Sequence, residues 1–202
     1  MADHIVKDIA ELEAIYGQPG TASLIKVADH LTPLYAKWIM ASRLCVVSTV
    51  GTEGTDGSPR GDNGPVVRIK DPKTLLLPDW RGNNRMDTLR NIVADGRISL
   101  MFIVAGSNNV MRVNGKAVVS EKPDQLGQFD QRGRQPRSVV VITVAEVYSQ
   151  CARALMRAKV WASDDESADL PTVGELLAEQ EEGFDGVEYD AAWGARAART
   201  MW

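Results

Sequence analysis

Pro59-Arg60-Gly61-Asp62, then Val66-Val67-Arg68-Ile69-Lys70-Asp71-Pro72-Lys73-Thr74-Leu75-Leu76-Leu77-Pro78-Asp79, then Trp80-Arg81-Gly82-Asn83-Asn84-Arg85-Met86-Asp87-Thr88-Leu89-Arg90-Asn91, is the stretch that decides the fold. The runs Val66–Lys70 and Thr74–Leu77 are β-rich, and Asp71-Pro72-Lys73 between them suits a turn, so the pair predicts an antiparallel hairpin. Beyond it the period changes. Met86, Leu89 and Val93 share one helical face, which Asp95-Gly96 closes. A helix starting at Asn84 or Arg85 leaves its first N–H groups and positive dipole end exposed where guanidinium and amide side chains cluster. That combination binds anions.

Outward from this stretch the chain keeps a β texture. Leu44–Val50 predicts a first strand that stops in the turn-forming Gly51–Ser58. Arg97–Val104 and Val110–Val119 predict two more. Asn114-Gly115 inside the latter has hairpin chemistry, but the competing loop Gly106-Ser107-Asn108 favours a glycine bulge at Gly115. Val139–Tyr148 is the most insistent run and predicts a central strand, followed by a helical segment from Cys151 to Ala158.

Helices flank this core. Asp8 with Glu11 resembles a capping box ahead of Ile9, Leu12, Ile15 and Tyr16. Leu24 to Trp38 continues an apolar stripe in which Thr32-Pro33 supplies an N-cap and first-turn proline, giving two helices or one kinked helix. After an acidic linker, Ser163–Ser167, Thr172 and Glu175 form another capping box, and Tyr189–Trp202 is rich in Ala and Arg and reads as helical. The expected class is α+β, mainly β: a six-stranded antiparallel barrel with N- and C-terminal helices packed outside. Residues 1–42 form the N-terminal helices, 43–161 the core, and 162–202 the linker and C-terminal helices of a single structural domain.

Composition narrows the function. With 202 residues and 44% hydrophobic content the chain can build one substantial core. A formal net charge of −4 argues against a general nucleic-acid binder. Cys45 and Cys151 allow no disulfide framework or zinc pattern, and both read as ordinary buried thiols. Met1-Ala2-Asp3-His4 lacks a leader pattern and no window reaches about 20 apolar residues, so a soluble, cytoplasmic protein is expected.

No dinucleotide-binding turn, Walker loop, metalloprotease helix motif or nucleophile elbow is present in the sequence. His4 and His30 lack a triad context. An enzyme so built relies on a cofactor that carries electrons while the protein positions it. A phosphate monoester suits Arg60, Arg68 and Arg85 with the Asn83, Asn84 and Thr88 donors, and flavin mononucleotide (FMN) fits that description. The basic loop Arg132–Arg137 reads as solvated, with reception of an anionic substrate or of a partner chain's cofactor as the alternative. Trp80 could cover one edge of the cofactor.

Taken in order, Arg60-Gly61-Asp62, Val67-Arg68-Ile69-Lys70-Asp71, Leu75–Asp79, Gly82–Leu89 and Arg112-Val113-Asn114-Gly115 resemble the pyridoxamine 5′-phosphate oxidase-related, FMN-binding split-barrel family, over roughly Leu44 to Trp161. The resemblance implies a homodimer with two FMN molecules in clefts at the subunit interface. It implies that Asn84 and Arg85 hold the flavin phosphate, with Asp87 and Thr88 supporting their turn, and that Arg68 faces the ring edge. Leu77 and Pro78 bring backbone groups to the ribityl chain and ring, and Arg112 reaches in from a later strand. Arg60, Asp62, Val67 and Asn83 complete the cofactor-binding set. Where the authentic oxidases carry an Arg-Lys pair this chain has Asn84-Arg85, which argues against pyridoxamine phosphate oxidation itself. The expectation is an FMN-dependent oxidoreductase acting on a small molecule, with NADH or NADPH as a candidate donor. The alternatives are a flavin or haem carrier without turnover and a cofactor-free interaction protein.

Overall fold

In the computed structural model, which describes residues 4–131, 133–162 and 165–201, the chain enters the sheet through helices α1 (Ile9–Tyr16), α2 (Thr21–Ile25) and α3 (Pro33–Met40). Thr32 caps α3, its Oγ1 accepting from the Tyr35 N–H at 3.3 Å, with Pro33 in the first turn. The apolar stripe is therefore two helices. Between them Ala28 pairs with Val147, so the connection is tied to the sheet by backbone hydrogen bonds. Neither α1 nor α2 has a buried residue, whereas α3 packs Ile39, Tyr35 and Trp38 on the core.

The strands are β1 (Leu44–Gly51), β2 (Gly54–Gly61), β3 (Arg68–Asp71), β4 (Thr74–Asp79), β5 (Arg97–Ile103), β6 (Val110–Ser120) and β7 (Ser138–Gln150). Helix α4 (Asp87–Ala94) lies between β4 and β5, and α5 (Pro123–Leu126) between β6 and β7. After β7 come α6 (Arg153–Arg157), α7 (Val173–Gln180), α8 (Gly186–Ala191) and α9 (Trp193–Thr200). Ser163 and Asp164 of the acidic linker, Arg132 of the basic loop and Trp202 of the tail lie outside the described residues.

All strand pairs are antiparallel, in the order β2-β1-β5-β6-β7-β4-β3. The α+β expectation holds and the β3–β4 hairpin turns at Pro72 as predicted, but the sheet has seven strands rather than six and does not close. The additional strand is β2. Its sequence, Gly54-Thr55-Asp56-Gly57-Ser58-Pro59-Arg60-Gly61, reads as turn chemistry, yet it pairs with β1 from Leu44↔Gly61 to Gly51↔Gly54. An edge strand tolerates proline and glycine because only one of its sides must complete a ladder. Tertiary pairing with the apolar β1 overrides the local preference.

Alternation at period two builds the core. Cys45 and Val47 on β1, Leu100 and Phe102 on β5, Met111 and Val113 on β6, and Leu75 and Leu77 on β4 point into one cluster that α3 and α4 cover. Leu76, between the last two, faces the opposite way and joins Phe129 and Val139 in a second cluster. β4 is thus buried on both faces, which is why its run is Leu-Leu-Leu. Cys45 is fully buried, and burial pushes its thiol up to about 12. Cys151 is exposed rather than buried, since the chain leaves the sheet just before it.

The predicted irregularity at Gly115 is present. Asn114 pairs with Glu146 and Gly115 with Val144, so Ala145 of β7 is the extra residue. The bulge inverts the inward phase of β7 from Val140, Ile142 and Val144 to Val147, and a bulged strand bends.

Candidate functional site

The cryptic strand β2 presents Asp56, Ser58 and Arg60 at alternate positions, all half-buried while their neighbours are exposed. Arg60 Nη1 donates to Ser58 Oγ at 2.8 Å, and its Nη2 lies 3.6 Å from Asp79 Oδ1 at the end of β4. Burial raises the Asp79 carboxyl above the ordinary carboxylate range, and the charges of Arg60 and Arg137 oppose that rise. A cation drawn from β2 and an acid drawn from β4 therefore meet at one end of the sheet.

The turn after β4 is organised by amide side chains. Asn83 Oδ1 accepts from the Arg85 backbone N–H at 3.0 Å, and Asn84 adopts a left-handed φ of 62°, which asparagine tolerates better than most residues. Arg137 holds this turn from outside: its Nη1 donates to Asn84 Oδ1 at 2.7 Å and its backbone N–H to the Asp79 carbonyl at 3.1 Å. Helix α4 starts at Asp87, later than the predicted Asn84 or Arg85, because the left-handed Asn84 cannot be a helical residue. Asp87 accepts from Arg85 Nε at 2.6 Å, which also raises the guanidinium's proton affinity. The N-cap Met86 supplies no side-chain cap. Thr88, the second residue of α4, is buried and donates its hydroxyl to Asp56 Oδ2, tying α4 to β2.

Two adjoining cavities result, sharing Pro59, Arg60, Arg81, Gly82 and Met201. One of about 560 Å³ is lined by Arg60, Asp62, Val66, Leu77, Pro78 and Trp80 among others. The other, about 1110 Å³, runs from Asp56, Arg60, Asn83, Arg85 and Thr88 to residues of α8 and α9. Of the candidates taken from the sequence, Arg60, Asp62, Leu77, Pro78, Asn83, Arg85 and Thr88 line this paired chamber, and Asn84 stands in the turn that bounds it. Asp62 is committed structurally, accepting from Trp80 Nε1 and Gln131 Nε2, both at 3.1 Å. Trp80 also packs against the second core cluster, so it edges the smaller cavity from a fixed position.

Three candidates stand elsewhere. Val67 is wholly buried in the main core. The guanidinium of Arg68 lies 5.9 Å from the Phe129 ring centroid, on the Leu76 side of the sheet, and that of Arg112 lies 5.3 Å from the Tyr148 ring centroid on β7. Neither arginine lines either of these two cavities. Sequence reasoning missed Asp56 and the wall from α8 and α9, and it placed Arg137 only in a basic loop read as solvated. Asp56 was hidden in what reads as a turn, and the tail carried no motif tying it to residues over a hundred positions earlier.

The donor set fits a flavin phosphate. Arg60, Arg85 and Asn83 can donate to phosphate oxygens, Leu77, Pro78 and Val66 offer an apolar wall, and the smaller cavity lies within the roughly 300–1,000 Å³ of ligand pockets while the larger slightly exceeds it. Among the described residues no His, Cys, Asp and Glu grouping could hold a metal ion. No helix among them is long and apolar enough to cross a membrane.

A family model for pyridoxamine 5′-phosphate oxidase matches residues 31–151. Among solved structures, a single-residue variant of HupZ from Group A Streptococcus is 21% identical with a TM-score of 0.50, the match covering 59% of this chain and 99% of that one. An FMN-binding protein of Syntrophomonas wolfei is 12% identical, TM-score 0.43, over 61% of this chain and 84% of its own. A Clostridium acetobutylicum protein related to general stress protein 26, of the pyridoxinephosphate oxidase family, is 12% identical, TM-score 0.44, over 57% and 84%. Among curated proteins none matches.

Proposed function

The chain belongs to the pyridoxamine 5′-phosphate oxidase family, and from that premise we propose that it is a flavoprotein that binds FMN non-covalently in the chamber between β2, the end of β4 and the start of α4. The observation that carries the reading is the convergence of Arg60 with Asn83, Arg85 and Thr88 on one cavity, although Arg60 is far from that turn in sequence. Arg60, Asn83 and Arg85 would hold the phosphate, with Asn84 and Arg137 fixing the turn. Leu77 and Pro78 would line the ring and ribityl side. When bound, FMN supplies hydride or single-electron chemistry between a reduced nicotinamide nucleotide or another donor and a small acceptor.

The residues themselves bind, orient and shield. Asp79, whose proton affinity is raised by burial, is the titratable group placed to hold a proton beside Arg60. The reading includes a homodimer with two such clefts. Its support is a sheet face of β5 and β6 where Met101, 37% exposed, stands opposite Arg112 and Val118, 62% exposed, lies further along β6. Arg112 and Arg68 are the residues a partner subunit could contribute.

The test is titration of the purified chain with FMN and with riboflavin, followed by flavin fluorescence, and mass analysis of any molecule that co-purifies. The expected result is FMN binding at least tenfold tighter than riboflavin, since only FMN carries the phosphate. Equal affinity for the two would refute the phosphate turn. Anaerobic mixing of the FMN complex with NADH or NADPH should bleach the flavin absorbance. A stable spectrum with every donor tried would leave a carrier without turnover.

A further inference from the structure

The larger cavity has a second wall, built by the C-terminal helices and separate from the turn assigned to the flavin phosphate. Thr172 caps α7 in a complete capping box with Glu175, and Gly174 at its start is packed against Gly186 so closely that an added Cβ would lie 2.1 Å from the Gly186 carbonyl oxygen. The Gly174 N–H donates to Asp190 Oδ1 at 2.9 Å, which locks α8 onto α7. On this braced pair Tyr189, Trp193 and Arg196 line the cavity together.

Arg196 sits between two rings. Its guanidinium carbon stands 4.2 Å from the Tyr189 ring centroid and 5.3 Å from that of Trp193. Ring contacts of this kind attract the cation without supplying hydrogen-bond acceptors for its N–H groups. Arg196 Nη2 is buried and has no hydrogen-bond partner among the described residues. Acidic groups on the same cavity are already engaged: Asp56 accepts from Thr88, Asp87 from Arg85, and Asp190 from the Gly174 N–H. A buried cationic donor left without an acceptor is costly, and because Arg196 lines the cavity a small turn of its guanidinium would bring that donor to an oxyanion held there.

We infer that Arg196, clamped by Tyr189 and Trp193, is a binding residue for the oxyanion of a second ligand, a small organic carboxylate or phosphate ester that enters the larger cavity. The wall supplies aromatic surface around one cationic fork, which suits a compact planar anion. This assignment stands on the C-terminal wall alone and does not require that the cavity's other side hold FMN.

The probes are inorganic phosphate and benzoate, titrated into the full chain with and without added FMN and followed by isothermal calorimetry. The wild-type chain should bind at least one of them. Arg196→Gln should weaken that binding at least tenfold while changing FMN affinity less than twofold. Arg196→Lys, which keeps the charge but loses the planar fork, should fall between, and Arg199→Gln, on the same helix and outside the cavity lining, should match wild type. Thermal melts of each variant identify any that fail to fold, in which case the lysine variant carries the test. Unchanged probe affinity in folded R196Q, or no binding of either probe to wild type, overturns the inference. So does a loss confined to FMN, which would place Arg196 in the flavin phosphate site. Probe binding lost in R196Q by a chain that binds no FMN would uphold the inference while the flavin reading failed.

Discussion

Replacing Gly115 by alanine should damage this protein more than any other single added methyl group in the sheet. Gly115 has no positive φ, so its requirement is spatial. An added Cβ would lie 2.0 Å from the Thr143 carbonyl oxygen, 3.1 Å from its carbon and 3.3 Å from the Ala145 nitrogen. These are backbone atoms and cannot rotate away. Relief requires β6 and β7 to separate by about an ångström where Ala145 bulges, weakening about two ladder hydrogen bonds at about 1 kcal/mol each, plus an overpacking cost of about 1–3 kcal/mol. The sum, about 3–5 kcal/mol, is a large share of a domain's stability of roughly 5–15 kcal/mol. For a chain of this length it corresponds to a Tm drop of about 6–20 °C. Differential scanning calorimetry of Gly115→Ala should show that drop. Gly57→Ala, on the edge strand with no atom within 4 Å of the added Cβ, should stay within about 2 °C of wild type. A Gly115→Ala melt as close to wild type as that control would refute the bulge geometry and the inward phase change built on it.

Arg60→Ala should weaken FMN binding about tenfold, the loss of one partly exposed charge-assisted contact of about 1.4 kcal/mol, and leave riboflavin affinity within about twofold; parallel fluorescence titrations check this. Asp79 has a raised folded-state pKa, so it is neutral at low pH and becomes a carboxylate beside Arg60 only as pH rises through that raised value. Asp79→Asn should therefore bind FMN about fivefold tighter than wild type at pH 7, by the removal of a charge interaction of about 1 kcal/mol, and the two should converge at acid pH, where the phosphate's own titration is common to both. A constant ratio across the pH series would show that Asp79 does not face the anion.

Strong hydrophobic alternation made most of the sheet legible. β7, β5 and the β3–β4 hairpin follow from residues whose side chains want one or both faces buried. The level of the bulge could be read because Asn-Gly chemistry conflicted with short segments on either side, but its extra residue is Ala145 on β7 rather than Gly115 on β6. β2 could not, since its residues carry no β preference and its pairing is set by β1. The same gap hid part of the site. Arg85, Asn83 and Thr88 were visible as donors near a helix start, but their supports, Asp56 from β2 and Arg137 from the loop before β7, act through contacts of long sequence separation. Arg68 shows the converse: its type suggested a ligand contact, while the hairpin register sets it on the Leu76 face above Phe129.

The helices that finish the larger cavity lie beyond residue 151, where the match to the family ends. A chamber whose floor lies within the family match and whose cover lies outside it can change its guests by two routes. Substitutions on α8 and α9 alter what is admitted without touching a single rung of the sheet, whereas a change at Arg60 or Thr88 disturbs the frame itself. Swapping the cover between homologues is then a route to new selectivity on an old scaffold.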